Sequence, residues 1–156
     1  MSLYEFIRED LIKVNLTVDN QDQLFETLFI EAYQRGYVKK EYLQKLKERE
    51  AVFPTGLSMG EYSVAIPHTD PEFIINPFIA VATLEKPVAF HLMEDKSKQT
   101  EVNMILMLGL NEPHSQLKML QEIMTLIQDK SKIEQLLKAQ TPIEVQEILK
   151  KIEAHN

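Results

Sequence analysis

The sequence predicts an α/β fold, a single layered domain over residues 1–156 with a central β-sheet flanked by helices on both faces. Residues 78–84 (Phe-Ile-Ala-Val-Ala-Thr-Leu) and 102–108 (Val-Asn-Met-Ile-Leu-Met-Leu) lack the alternation of a half-solvated strand. Near-continuous apolar strands are those covered on both faces. Amphipathic stripes of helical period lie before and after these runs, which supplies the covering layers. A chain of 156 residues, 44% hydrophobic and 26% charged, fits one core without a second domain.

The elements follow in order. Residues 10–18 alternate loosely, with Leu11, Val14 and Leu16 apolar, and read as a strand ending at Asp19-Asn20. A helix begins there, because Asn20 with Gln23 forms a capping-box pattern, Leu24, Phe25, Leu28, Phe29 and Ala32 share one face, and Gly36 stops it. Residues 39–50 read as a charged surface helix that delivers Arg49 to a helix-to-loop boundary before Phe53-Pro54-Thr55-Gly56. Residues 63–66, 78–84 and 102–108 are strands, and 86–100 is expected to hold a short edge strand and a loop. The last third is helical: 115–128 carries Leu117, Leu120, Met124 and Ile127 in register, and capping boxes follow at Ser131/Glu134 and Thr141/Glu144. Pro142 then takes a first-turn position where its missing N–H costs little. No internal repeat or linker interrupts this order.

Composition excludes several function classes. Seventeen basic against 24 acidic residues leave a net charge of −7, unsuited to a broad nucleic-acid surface and better matched to a partner with a basic face. With no cysteine there is no disulfide, thiolate zinc site or cysteine nucleophile. The N-terminus has acidic residues where a signal peptide needs basic ones, and no run approaches the roughly 20 apolar residues of a membrane span. A cytoplasmic protein without membrane insertion is expected.

The chemistry points to Ser63-Val-Ala-Ile-Pro-His68. Pro67 fixes its own φ, lacks an N–H and pushes Ile66 into an extended conformation, so the strand ends and His68 should leave it as a presented side chain in a loop. A histidine accepts and returns a phosphoryl group when one ring nitrogen is free and the other is held by an acceptor. The residues alone also allow a histidine that merely caps a turn. His114, just before the helix expected from Ser115, belongs near free N–H groups that favour anions, or is simply a capping residue. Arg49 offers a charge-assisted fork for the same oxygens, or is a solvated arginine. His91, after Phe90, reads as a partly buried structural residue and His155 as part of the tail. The four histidines lack the short pairings of a zinc site. No cofactor is expected.

Arg49-Glu-Ala-Val-Phe-Pro-Thr-Gly-Leu57 followed by Ser63-Val-Ala-Ile-Pro-His68 resembles the signature of the fructose/mannitol-type (type 2) enzyme IIA of the bacterial phosphoenolpyruvate-dependent sugar phosphotransferase system. The resemblance extends over nearly the whole chain, including the apolar run 102–108 and Pro113-His114-x-x-Leu117. It implies a mixed sheet between two helical layers. It also implies that His68 accepts a phosphoryl group from phospho-HPr and passes it to a cysteine of enzyme IIB, with the membrane enzyme IIC reached only indirectly. By motif position His114 and Arg49 become the phosphoryl-oxygen stabiliser and charge partner. The Phe-Pro-Thr-Gly spelling is closer to galactitol-type members, although the IIA component of this family never touches the sugar. A nitrogen-type regulatory member, acting by phosphorylation-dependent docking, shares the same histidine chemistry. Leu57, Met59 and Tyr62 are expected to rim the site and help dock the partners.

Overall fold

A computed structural model of the chain describes residues 2–154. His155 lies outside them. Five strands form one mixed sheet: β1 (Ile7–Leu16), β2 (Gly56–Ser58), β3 (Ser63–Ala65), β4 (Phe78–His91) and β5 (Gln99–Gly109), in spatial order β1-β4-β5-β3-β2. β1 runs parallel to β4 and β3 parallel to β5, whereas β4/β5 and β2/β3 are antiparallel.

Each face of this sheet is sealed by its own helices. α1 (Gln21–Gln34) and α2 (Tyr42–Val52) lie on one face, where Leu24, Phe25, Leu28 and Leu46 pack on Phe78, Ala80, Ile105 and Met107. On the other, α3 (Pro113–Ile127), α4 (Lys130–Lys138) and α5 (Pro142–Ala154) bring Met119, Ile123, Ile133, Leu136 and Val145 against Ile79, Val81, Met104, Leu106 and Leu108. Successive strand residues serve opposite cores, which is why 78–84 and 102–108 are near-continuous apolar runs, interrupted at Thr83 and Asn103.

Several boundaries differ from those expected, each for a local reason. β1 starts earlier, at Ile7, because Ile7 already pairs with Ile79. β4 continues through Pro87 to His91, so the expected edge strand is the outer half of a long β4–β5 hairpin, with a register shift between Thr83 and Val88 that accommodates the proline. α1 is capped as the spacing requires, with Asn20 accepting from the Gln23 N–H, and ends in a Schellman turn at Gly36 with φ +80°. α4 is capped by Asp129, not Ser131, since Asp129 accepts from the Lys132 N–H at 3.2 Å.

Candidate functional site

Antiparallel pairing of β2 with β3 folds the Phe53-Pro-Thr-Gly segment back beside the strand that carries Ile66. Pro67 ends that strand as its chemistry demands, but the chain stays extended: the Leu108 N–H donates to the Pro67 carbonyl at 3.1 Å and His68 bridges to Leu108 of β5. Gly56 is required here, because a Cβ would fall 2.6 Å from the His91 carbonyl oxygen and 3.0 Å from Phe90 Cβ. The outer half of the β4–β5 hairpin thus supports the loop that approaches His68.

His68 is not a freely presented side chain. It is 7% exposed, because the β5 edge and α3 close over the strand end instead of leaving an open loop. Its Nδ1 lies 2.8 Å from the Ile66 carbonyl oxygen. A carbonyl can only accept, so Nδ1 carries the proton in the neutral ring and the lone pair resides on Nε2. Burial holds the imidazole below the usual histidine pKa; the Ile66 carbonyl opposes this, Arg49 adds to it and Asp70 opposes it. The ring is therefore neutral near pH 7 and its tautomer is set by the backbone.

A cavity of about 350 Å³ opens on this histidine, lined by Arg49, Phe53, Pro54, Thr55, Ile66, His68, Met93, Leu120 and Met124. Arg49 sits in the last turn of α2, which runs to Val52 and so extends past the expected boundary. Its Nη1 donates to Asp70 Oδ1 at 3.3 Å, its guanidinium carbon lies 5.4 Å from the Phe53 ring centroid, and its Nε is buried without a partner. A buried orphan donor on a cation, in the same cavity as an imidazole lone pair, is an arrangement that an anionic oxygen would complete.

His114 is placed differently. It is exposed, it lies inside the first turn of α3, and it does not line the cavity. The N–H groups expected to be free there are taken: Glu112 caps α3, accepting from the His114 N–H at 2.9 Å and the Ser115 N–H at 2.8 Å. Gln116 is the residue of this turn that reaches the site segment, its Nε2 donating to the Thr69 carbonyl at 3.3 Å. Residues two apart point to different sides of a helix, so Gln116 and His114 cannot both face the strand end.

Two further expectations are corrected. Tyr62 is core, 6% exposed, its hydroxyl donating to the Ile127 carbonyl at 2.6 Å, and Leu57 and Met59 pack against the same core instead of lining the cavity. The apolar rim is built by Phe53, Met93, Leu120 and Met124. His91 is exposed on β4 and is not a partly buried residue, since the alternation of the strand buries its neighbour Phe90. Among the described residues, no three metal-ligating side chains cluster to hold a metal ion.

Sequence reasoning missed Glu50 and Thr55. Glu50 is only 6% exposed, and its carboxylate accepts from the Thr55 N–H at 2.7 Å and the Thr55 hydroxyl at 2.8 Å. Burial pushes its pKa up to about 7 against the lowering effect of the Thr55 bonds and Arg49. In a helix reading Lys-Glu-Arg-Glu, nothing in the residue type separates a buried glutamate from its solvated neighbours. The available signal was its position beside Arg49, five residues before a threonine.

Residues 5–152 match the family described as "Phosphoenolpyruvate-dependent sugar phosphotransferase system, EIIA 2". The chain is similar to the galactitol-specific EIIA component of the Escherichia coli phosphotransferase system, with 30% identity over 104 residues, 66% of this chain and 68% of that protein. It is 32% identical over 78 residues to the transcriptional regulator ManR of Bacillus subtilis, a match covering 50% of this chain and 12% of the regulator's length. Among solved structures, the nitrogen regulatory protein IIA-Ntr from Neisseria meningitidis superposes with a TM-score of 0.77 at 22% identity, covering 94% of this chain and 98% of that one. At that identity the likeness is one of fold. Among the described residues, no helix is long and apolar enough to cross a membrane.

Proposed function

The chain belongs to the EIIA 2 family of the phosphoenolpyruvate-dependent sugar phosphotransferase system, and from that premise we infer that it is a histidine phosphocarrier in which His68 takes a phosphoryl group from phospho-HPr and gives it to a cysteine of enzyme IIB. The observation that carries this reading is the pairing of His68 Nδ1 with the Ile66 carbonyl, which leaves Nε2 as the nucleophile on a cavity shared with Arg49.

In the first half-reaction the Nε2 lone pair forms a bond to the donor's phosphorus while the donor's own N–P bond breaks and its imidazole leaves with that electron pair. In the second, a thiolate attacks the same phosphorus and the His68 imidazole leaves. Such in-line transfers need alignment and compensation of charge on the equatorial oxygens more than covalent help from the protein. Alignment comes from the Ile66 carbonyl, which holds the ring through both steps. Charge compensation falls to the Arg49 guanidinium, whose buried Nε has no other partner. His114, exposed on the first turn of α3, acts on the bound phosphoryl group only from the periphery.

The partners dock over the cavity mouth. Phe53, Leu117 and Met93 are 61%, 57% and 42% exposed, and Leu117 precedes the cavity residue Leu120 by one helical turn. An exposed apolar patch on a net-acidic chain suits a small transient interface with a carrier whose docking face is basic. The similarity to the galactitol-specific component supports a polyol of that kind as the transported substrate.

A second reading, regulation by phosphorylation-dependent docking without sugar transport, is supported by the identity with part of a transcriptional regulator. Incubation with phosphoenolpyruvate, enzyme I and HPr tests the shared step: the protein should acquire acid-labile, alkali-stable phosphate. Passage of the label to a galactitol-type enzyme IIB supports transport, while retention in the presence of every IIB supports regulation. A protein that acquires no label is not a phosphocarrier.

A further inference from the structure

The cavity is backed by a continuous line of hydrogen bonds that starts on a side chain outside it. The two oxygens of Glu50 accept from the N–H and the hydroxyl of Thr55, at 2.7 and 2.8 Å. The carbonyl of Thr55 accepts from the Ile66 N–H at 3.3 Å. The carbonyl of Ile66 faces His68 Nδ1 at 2.8 Å. Glu50 and Arg49 are adjacent in the last turns of α2, so this short stretch of helix supplies the cavity's cation and the origin of the line.

We propose that Glu50 is a positioning residue for His68: by clamping both donors of Thr55 it fixes the peptide that holds Ile66, and thereby the carbonyl that sets the tautomer and direction of the His68 ring. The loop needs such a clamp. Residues 53–55 lie between the end of α2 and the three-residue strand β2, and Phe53 has little packing to hold it, being 61% exposed. Thr55 itself is 3% exposed, so an unpaired Thr55 N–H and hydroxyl would be buried donors without acceptors. An alanine at position 50 removes both acceptors at once. The loop then regains its hydrogen bonds only by shifting, and Ile66 shifts with it.

The geometry also explains why an ionisable group is buried at this point in a helix whose other charges are solvated. A carboxylate offers an acceptor to each of two donors that diverge from one residue, which a hydroxyl cannot do and an amide does only with its oxygen. Any bond it makes in the buried site is stronger than the same bond in water.

The inference rests on His68 being the phosphoryl acceptor, and its test is chosen to be independent of that. Long-range ¹H–¹⁵N correlation spectra of ¹⁵N-histidine-labelled protein read the proton position on the His68 ring without any phosphoryl donor. In the wild type, His68 should show a single Nδ1–H tautomer at pH 8. In Glu50→Ala the ¹⁵N shifts should move toward a mixture of tautomers, and in Glu50→Gln, which keeps one acceptor, they should remain closer to the wild type. Thr55→Val, which retains the N–H bond and loses the hydroxyl bond, should fall between Glu50→Ala and the wild type. It also serves as the readout should Glu50→Ala fail to fold. The rate of labelling by phospho-HPr should fall about tenfold or more in Glu50→Ala and be partly restored in Glu50→Gln. Folded Glu50 and Thr55 variants with a wild-type His68 tautomer overturn the proposal, whatever the labelling experiment gives. A wild-type protein that shows the tautomer series and takes no label from HPr overturns the phosphocarrier reading and leaves the positioning role standing.

Discussion

His68 is held by its own strand end: its Nδ1 lies 2.8 Å from the carbonyl oxygen of Ile66, two residues earlier in the chain. Because Pro67 between them has a fixed φ, the pair forms a rigid local unit. The direction of the Nε2 lone pair is therefore set locally by three consecutive residues, Ile66-Pro67-His68, at the end of their strand.

The first consequence is a low titration midpoint for His68. Burial, the largest influence, disfavours the imidazolium and holds the pKa below its ordinary value of about 6.5. With the folded pKa depressed, an unfolded chain binds more protons than the folded one as pH falls from about 6.5 toward the folded midpoint, and this residue costs stability across that window. Ring ¹H–¹³C shifts followed from pH 8 to 4 should give a midpoint under 6.5. A midpoint above it would mean that the ring is solvated or ion-paired.

Arg49 should be needed as a fork and not merely as a charge. Its Nη1 is committed to Asp70 at 3.3 Å, while the buried Nε is unpartnered and available to a phosphoryl oxygen. Arg49→Ala is expected to slow transfer from phospho-HPr by about a hundredfold, and Arg49→Lys, which keeps a cation without the planar donor set, to recover only part of it. Rapid-quench labelling measures both. Full recovery in Arg49→Lys would reduce the role to simple charge.

His114 should matter far less. It is exposed and outside the cavity lining, and the helix N–H groups around it are occupied by Glu112. His114→Ala should slow transfer only a few-fold, without abolishing His68 labelling. The same rapid-quench assay decides, and a loss comparable to that of Arg49→Ala would show that the imidazole swings over the cavity during transfer.

Tyr62 gives the converse case, a residue that holds the fold and not the chemistry. Its hydroxyl donates to the Ile127 carbonyl at 2.6 Å and joins β3's approach to the end of α3. Tyr62→Phe leaves that carbonyl without this bond and should cost about 1–2 kcal/mol in chemical denaturation, with labelling rates unchanged.

Glu50 adds a pH dependence of opposite sign to that of His68. Its pKa is raised from 4.5 to about 7, so the folded protein binds the proton more tightly than the unfolded chain between those values. Stability contributed by this group is full below pH 4.5 and declines as pH rises to about 7, by at most about 3 kcal/mol. Denaturation midpoints of the wild type minus those of Glu50→Gln, taken at pH 4.5, 6 and 8, should fall with pH. A flat difference would place the carboxyl in a more solvated setting.

The layered architecture was legible because it depends on periodicity. Ile79/Val81 and Ala80/Ala82 feed opposite cores, and a strand buried on both faces cannot hide that pattern. The Asn20 cap, the Gly36 stop and the strand end at Pro67 were equally legible, since each is decided by one residue's covalent chemistry. What the chain did not disclose is set by contacts distant in sequence. The burial of His68 depends on β5 and α3, the exposure of His91 on the phase of a β4 that runs through Pro87, and the apolar rim on which side of α3 meets the cavity. The occupied helix start at His114 depends on Glu112, which lies ahead of the helix expected from Ser115. Glu50 was hidden most completely, as a buried carboxylate in a charged helix has no compositional mark.

With His68 as the proposed carrier, the Ile66 carbonyl leaves only the ring's Nε2 to take the phosphoryl group. The most direct test is ³¹P-coupled ¹⁵N spectroscopy of the protein after incubation with phosphoenolpyruvate, enzyme I and HPr. A single phosphohistidine is expected, with coupling from phosphorus to Nε2 of His68 and a proton retained on Nδ1, and no phosphorylation in His68→Ala. Phosphorus coupled to Nδ1 of His68, or label that survives His68→Ala, would contradict it.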